Sequence, residues 1–418
     1  MADPPIEALR TPKGIRTCGH HRERPALILG ARYPAVALVQ ALAPRGVACR
    51  VCAPLPLQAA WSRYARYSRM PSCGDTDAAL ARLEDIVARG AGRPVIFPAG
   101  DAEARLLAKA RDRLSRVADC SVSSADTVTT LLDKGLFYAR AAKLGLSCPT
   151  ALPLDPSSRI APLPFPFVVK PRNYTDLLSQ GSPNRARPTG FKFARIENDR
   201  GWSDFLRVQD GNLASFIAQS LVPGGTDDRY ALSVFATRET GLVRAFAARV
   251  LRSWPDGYGN TILAENAVVP DALLDEVAHA VRGFALEGIA EFEYRRDAAT
   301  GAFSLIEINP RVSTWTQLAR LGPADPIWAA YAHACGTDVS PGVVNAEPGR
   351  LKIVRALSDL TNAWTRLPKG HPARRIGPTR WRRSVAAEST HIVETDRRDW
   401  TLALGCAGLQ VVDMLRGQ

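Results

Sequence analysis

The chain has 418 residues, 46% of them hydrophobic and 23% charged, which leaves room for two or three domains of roughly 100–200 residues each and excludes both a disulfide-stapled miniprotein and a disordered chain. Lysine and arginine total 54 against 41 acidic residues, a formal charge of +13, so the partners to expect are anions such as nucleotides, phosphates or carboxylates. No stretch approaches the ~20 apolar residues of a membrane span, and the opening MADPPIEALRTPKGIRTCGHHRER lacks the apolar centre of a secretory signal, which reads as a cytoplasmic protein with no membrane partner.

Residues 1–24 are polar and aperiodic and are expected to form a mobile tail. ALILGA (26–31) then reads as a buried strand, YPAVALVQALAPRG as a helix closed by Gly46, and VACRVCA (47–53) as a second strand. A helix over DAALARLEDIVARG (77–90), a strand over PVIFPAG (94–100) and a helix capped by Asp101 continue the alternation, which predicts a parallel sheet covered on both faces. The turn Gly30-Ala31-Arg32-Tyr33-Pro34 lacks the glycine spacing of a dinucleotide loop. Cys49 and Cys52 form a C-x-x-C inside an apolar run with no second ligand pair, and they read as small buried thiols.

From about residue 121 the texture changes. SSADTVTTLLDKGLFYARAAKLGLSCPT predicts a capped helix ending at Lys134 and a second helix closed by Gly145. A strand FPFVVKP (165–171), a long polar loop (172–190), a strand FKFARI, a helix around DRGWSDFLRV and a strand SFIAQSLV (215–222) follow. After two more strands, around YALSVFAT and LVRAFAARV, comes the strongest local signal. It is a hairpin over 289–311 in which two alternating strands flank an Asp-Ala-Ala-Thr-Gly turn. Beyond residue 336 the pattern is loop-rich and basic, with one apolar helical end, WTLALGCAGLQVVDMLRG. Arg366, Lys369, Arg374, Arg375, Arg380, Arg382 and Arg383 lie there with no intervening acid, as a solvated basic segment or an anion patch. No aromatic-interleaved nucleic-acid motif accompanies them, so nucleic acid is not the expected partner.

The hairpin concentrates acids. Glu291 and Glu293, two apart, share one strand face, and a turn centred near residue 299 puts Glu291 opposite Glu307. Opposed carboxylates repel by up to ~1 kcal/mol and by more when buried, so a fold keeps them where a cation sits between them, or on an exposed face where Lys or Arg neutralises them. With Asn309 adjacent, this is an oxygen-ligand set suited to Mg²⁺.

Lys134, Lys170, Gln219 and the set Glu291, Glu307, Asn309, Arg311 occur in an order that resembles the ATP-grasp superfamily over roughly residues 25–335. LIEINPR is similar to the metal-binding strand of biotin carboxylases, carbamoyl phosphate synthetases and amino acid ligases. The resemblance implies an α/β architecture: a Rossmann-like pre-ATP-grasp domain (25–120), an ATP-grasp fold of two α+β lobes (121–335) and a basic C-terminal extension (336–418). It implies that Lys134 and Lys170 contact the phosphates of ATP, and that Gln219, Ser220, Leu221 and Val222 form the adenine hinge. Glu291, Glu293, Glu307 and Asn309 would hold Mg²⁺ or Mn²⁺, and Arg311 would bind the transferring phosphoryl group. Arg249 and Arg252, on a basic strand before Gly257-Tyr258-Gly259, are implied at the acceptor side of that phosphate.

The segment 172–190 departs from the family. It carries Gly181, Gly190 and the arginines 172, 185 and 187 where a short Gly- or Ser-rich flap is usual, and it is expected to order over the phosphates when nucleotide binds. The implied activity is ligation: ATP activates a small-molecule carboxylate as an acyl phosphate, which an amine of amino acid or peptide type captures. The alternatives are a carboxylase using bicarbonate and a catalytically silent nucleotide-binding scaffold. The sequence sets neither the substrates nor the oligomeric state.

Overall fold

A computed structural model describes residues 24–155, 161–173, 193–209, 213–254, 259–321, 325–344, 347–361, 378–395 and 399–415. The expected tail up to residue 23, most of the flap, Gly257, Tyr258 and most of the basic segment lie outside the described residues.

The first unit is a parallel sheet in the order β3-β2-β1-β4-β5, made of β1 (Ala26–Leu29), β2 (Cys49–Ala53), β3 (Ala65–Arg69), β4 (Val95–Pro98) and β5 (Asp119–Cys120). Its crossovers include α1 (Tyr33–Leu42), α2 (Thr76–Ala88) and α3 (Asp101–Leu114). Strands β1, β2 and β4 are apolar almost throughout because helices cover both faces. Cys49 and Cys52 are buried in β2, and burial pushes both thiols up to about 12, which leaves them inert.

Helices α4 (Ala125–Leu132) and α5 (Lys134–Lys143) lead into a four-stranded antiparallel sheet, order β6-β9-β7-β8, of β6 (Ala151–Pro153), β7 (Phe167–Pro171), β8 (Ala194–Ile196) and β9 (Phe216–Ser220). The helix α6 (Asp199–Val208) covers it, with Trp202 and Phe205 packed on Phe167 and Phe216. The large sheet comprises β10 (Arg229–Thr237), β11 (Gly241–Trp254), β12 (Asn260–Asn266), β13 (Gly288–Arg296), β14 (Phe303–Asn309), β15 (Gly342–Val344), β16 (Leu351–Val354) and β17 (Ser389–Ile392). Its order is β14-β13-β10-β11-β12-β16-β17, with β15 beside β11. The helix α7 (Asp271–Gly283) packs in the core on one face, whereas α1, α8 (Pro326–Ala334) and the final helix α11 (Trp400–Leu415) share a core with the other. That double burial explains why α1 is apolar on every side.

The C-terminal segment, expected as a basic extension, is built into the fold. Its strands β15, β16 and β17 extend the large sheet, and Leu402 and Cys406 of α11 enter the core shared with the first unit. Gly288 has φ +83, and a Cβ there would meet the Ser121 carbonyl carbon at 2.8 Å, so the start of β13 needs glycine to pass the chain leaving the first unit. Among the described residues no helix is long and apolar enough to cross a membrane.

The hairpin forms, but its register differs from expectation by two residues. Glu293 opposes Glu307, and Glu291 opposes Asn309. Below the bulge Tyr294 pairs with Leu305, above it Glu293 pairs with Glu307, and Ile306 is the extra residue. Its freed carbonyl accepts a hydrogen bond from Tyr138 Oη at 2.7 Å, which anchors the bulge to α5.

Candidate active site

A cleft of about 1030 Å³ opens between the small antiparallel sheet and the large sheet and reaches the C-terminal ends of β1 and β4. Lys134, Lys170, Gln219, Leu221, Val222, Glu291, Glu293, Glu307, Asn309 and Arg311 all line it, although they come from separate elements. The small sheet supplies Lys170 at the end of β7, and the large sheet supplies the glutamates. Lys134 opens α5, where Asp133 caps the helix by accepting from Leu136 N. Gln219 is turned inward, its side-chain amide 2.9 Å from Tyr138 Oη. Ser220 does not line the cleft, and its amide is already given to the Thr150 carbonyl at 2.8 Å. Gln219, Leu221 and Val222 thus remain from the expected hinge in the cleft lining.

The charged groups interlock without cancelling. Lys134 Nζ donates to Glu307 Oε2 at 2.8 Å. Asn309 Nδ2 donates to Glu291 Oε2 and to Glu293 Oε1, both at 3.2 Å. The Trp315 indole also donates to Glu291. Arg311 Nε donates to Asp101 Oδ1 at 2.6 Å, and its Nη1 lies 3.7 Å from Glu291 Oε2. Burial opposes charge on Glu307, but Lys134 and then Lys170 outweigh it and hold the carboxyl well below its usual range. Glu293 is pushed up to about 8 by burial, then by Glu307 and Glu291. Burial, and next the Lys134 ammonium, bring Lys170 down to about 8.

The cleft is therefore incompletely balanced in both signs: Glu293, beside Glu307 and Glu291, has only Arg229 at 3.9 Å, and Lys170 feels Glu307 through space without an acid within 4 Å among the described residues. A divalent cation on the carboxylates would supply the first and nucleotide phosphates the second. Among the described residues no three His, Cys, Asp or Glu side chains converge as in a closed metal cage. Mg²⁺ takes one or two carboxylates and completes its shell with phosphate and water, so the open cross-strand pair with an amide beside it fits that ion.

No family model matches this sequence, and no curated protein matches it. Among solved structures, an L-amino acid ligase from Bacillus licheniformis aligns with TM-score 0.57 and 15% identity over 76% of this chain and 77% of its own. An N5-carboxyaminoimidazole ribonucleotide synthetase from Thermus thermophilus aligns with TM-score 0.55 and 17% identity over 76% of this chain and 80% of its own. A biotin carboxylase from Campylobacter jejuni aligns with TM-score 0.55 and 12% identity, over 76% and 72%. The chain has the ATP-grasp fold.

Two expected residues are not brought to the ATP-grasp cleft. Arg249 and Arg252 are absent from its lining. Arg249 Nη2 pairs at 2.7 Å with Glu265, its cross-strand neighbour on β12. Arg252 Nη2 pairs at 2.6 Å with Asp359 of α9 (Ala356–Thr361), which ties β11 to the C-terminal segment. Desolvated ion-pair partners claim both guanidiniums, and a basic strand read alone gives no sign of them. Of the flap arginines, only Arg172 is described, and it turns to Asp133 at 3.2 Å.

Sequence reasoning also missed groups that shape the site. Asp101, expected to cap α3, does not cap it; the N-cap is Gly100, and the Asp101 carboxylate clamps Arg311 instead. Trp315 and Arg229, the latter with Nη2 3.9 Å from Glu293 Oε2, carry no motif. Only long-range contacts reveal them.

Proposed function

We propose that this protein is an ATP-dependent, ADP-forming ligase that joins a small-molecule carboxylate to an amine. The observation that carries the reading is that the opposed Glu293 and Glu307 carboxylates, only partly balanced by Arg229 and Lys134, face one cleft with the Lys170 ammonium, which has no acid within 4 Å among the described residues. A carboxylate oxygen of the substrate attacks the γ-phosphorus of ATP, ADP leaves, and an acyl phosphate results. The amine nitrogen then attacks the acyl carbon, inorganic phosphate departs with the bonding pair, and the amine proton passes to phosphate or solvent. Phosphoryl transfer of this kind is catalysed by positioning and charge neutralisation, so no protein nucleophile is required.

Each residue has a part in that scheme. Lys134 and Lys170 receive phosphate oxygens, with Lys134 already oriented by Glu307. Arg311, fixed by Asp101, presents its guanidinium to the transferring phosphoryl or acyl phosphate. Glu293, Glu307 and Asn309, with Glu291 alongside, would hold Mg²⁺ or Mn²⁺, which supplies neutralisation of the phosphate charge. The likeness to the amino acid ligase favours an amino acid or peptide-type acceptor. The likeness to the biotin carboxylase favours a second reading, in which bicarbonate is the activated carboxylate.

ADP release measured against the L-amino acids, singly and in pairs, with and without bicarbonate, tests both. Amine-stimulated, Mg²⁺-dependent ADP formation is expected. ADP formation that requires bicarbonate identifies the second reading, and a protein that neither binds nor turns over ATP refutes both.

A further inference from the structure

One part of the cleft is not used by the nucleotide scheme. It is built where the first unit meets the C-terminal segment, from Arg32 and Tyr33 after β1, Gln58, Arg355 after β16, and Gln410 of α11. The four carboxylates lining the cleft are engaged elsewhere: Asp101 and Glu291 face Arg311, Glu307 holds Lys134, and Glu293 faces Arg229. Arg32 and Arg355 make no ion pair within 4 Å among the described residues. Arg32 is exposed at the turn before α1. Arg355 is held in place: its guanidinium lies over the Tyr33 ring, 4.1 Å from the centroid, and its Nη2 donates to Ser358 Oγ at 2.9 Å. Its Nε is buried without a hydrogen-bond partner.

Behind Arg355 lies Glu394, fully buried and just beyond β17. One carboxylate oxygen accepts from Ala356 N at 3.0 Å, at the start of α9, and the other has no partner. Glu394 thus pins the backbone that carries Arg355 without pairing with its guanidinium. The cation is ordered from behind, feels Glu394 through space and holds no carboxylate within 4 Å among the described residues, an arrangement suited to receiving an oxyanion.

Resting on the ligase reading above, we propose that the acceptor amine carries an anionic group, a carboxylate or a phosphate, and that Arg355 together with Arg32 binds it. Arg355 is then the specificity-determining residue, Glu394 and Tyr33 are its positioning residues, and the C-terminal segment is what selects the acceptor. A neutral amine would leave the two guanidiniums balanced only through space, by the buried Glu394 carboxylate near Arg355 and the Glu103 carboxylate near Arg32, with no acid within 4 Å of either among the described residues. An amine whose carboxylate is seated on them has its nitrogen restrained beside the acyl phosphate, which is where ligation needs it.

The test uses the full-length protein, its Arg355→Met, Arg355→Lys and Arg32→Gln variants, and matched acceptors, each offered together with the same panel of N-acetylated amino acids as the carboxylate to be activated: free L-amino acids, the same amino acids as C-terminal amides, and phosphoethanolamine. ADP release should occur with free amino acids or with phosphoethanolamine, which separates carboxylate from phosphate, and should fall sharply with the amides. Arg355→Met should raise the acceptor KM by ~10–100-fold with a far smaller change in kcat, the loss expected for one charged hydrogen bond. Arg355→Lys should recover part of that loss. Arg32→Gln, on an exposed turn, should raise KM in the same direction with no risk to the core. Amides used as well as free acids, or an unchanged KM in both Arg355→Met and Arg32→Gln, would overturn the proposal.

Calorimetric titration of the same compounds, with Mg²⁺ and a non-hydrolysable ATP analogue present, reads the site without turnover. Anion-dependent binding that both variants lose, with no ADP release, sinks the ligase reading and leaves the anion site standing. Absence of any such binding sinks the anion site itself.

Discussion

Lys170→Met should make the ligand-free protein more stable while making it a poorer ATP binder. In the folded chain the Lys170 ammonium is half-buried near Lys134 with no hydrogen-bonded acid, and its pKa falls from 10.5 to about 8. A depression of that size corresponds to roughly 3 kcal/mol of unfavourable charging at neutral pH. Methionine keeps the length and apolar stem of the side chain and removes the charge, so a gain of ~1–3 kcal/mol is expected in urea unfolding. The sign follows from the direction of the shift: the cost of the charged lysine is complete below pH about 8 and fades as pH rises from there towards 10.5. The stability advantage of the variant should therefore shrink across that window. ATP binding works the other way, because phosphate oxygens are the missing counter-charge. Losing a charge-assisted hydrogen bond should weaken ATP by ~10–100-fold in titration calorimetry. In the wild type, ATP affinity should fall above pH about 8, since binding there must first return a proton to Lys170. A Lys170→Met protein that is less stable than wild type, with unchanged ATP affinity, would refute the assignment and place Lys170 among ordinary surface lysines.

Glu307→Gln should abolish Mg²⁺-dependent ADP production, since a neutral amide cannot balance the cation. It should also cost ~1–3 kcal/mol of stability, because Lys134 and Lys170 lose their shared counter-charge; wild-type turnover by this variant would remove the metal site. Asp101→Asn should lower kcat by ~10-fold or more while ATP affinity holds, as Arg311 loses the carboxylate that aims it; an unchanged kcat would reduce the pair to a structural tie. Arg252→Met should leave ADP release as it is and lower stability by ~1–3 kcal/mol, because Asp359 is left buried without its cation. A kinetic loss with intact stability would return Arg252 to the active site.

What the sequence by itself determined is whatever repeats locally. The alternation of apolar strand and amphipathic helix after residue 25 specifies a parallel sheet, because each period follows from backbone geometry and needs no distant partner. Lys170 closing an apolar strand and the acids on alternating hairpin positions were legible for the same reason, and they do meet in one cleft. Tertiary structure decided where partners lie far apart in the chain. The hairpin register depends on a bulge at Ile306, whose carbonyl Tyr138 captures from 168 residues away. Asp101 reaches across 210 residues to hold Arg311, and Asp359 draws Arg252 out of the cleft across 107. The extension after residue 336 reads as weakly patterned because β15, β16 and β17 are short strands added to a sheet that already exists, so their hydrogen bonds, not an apolar rhythm of their own, hold them in place. Such contacts are selected by burial and charge compensation in the assembled fold, and no local period encodes them.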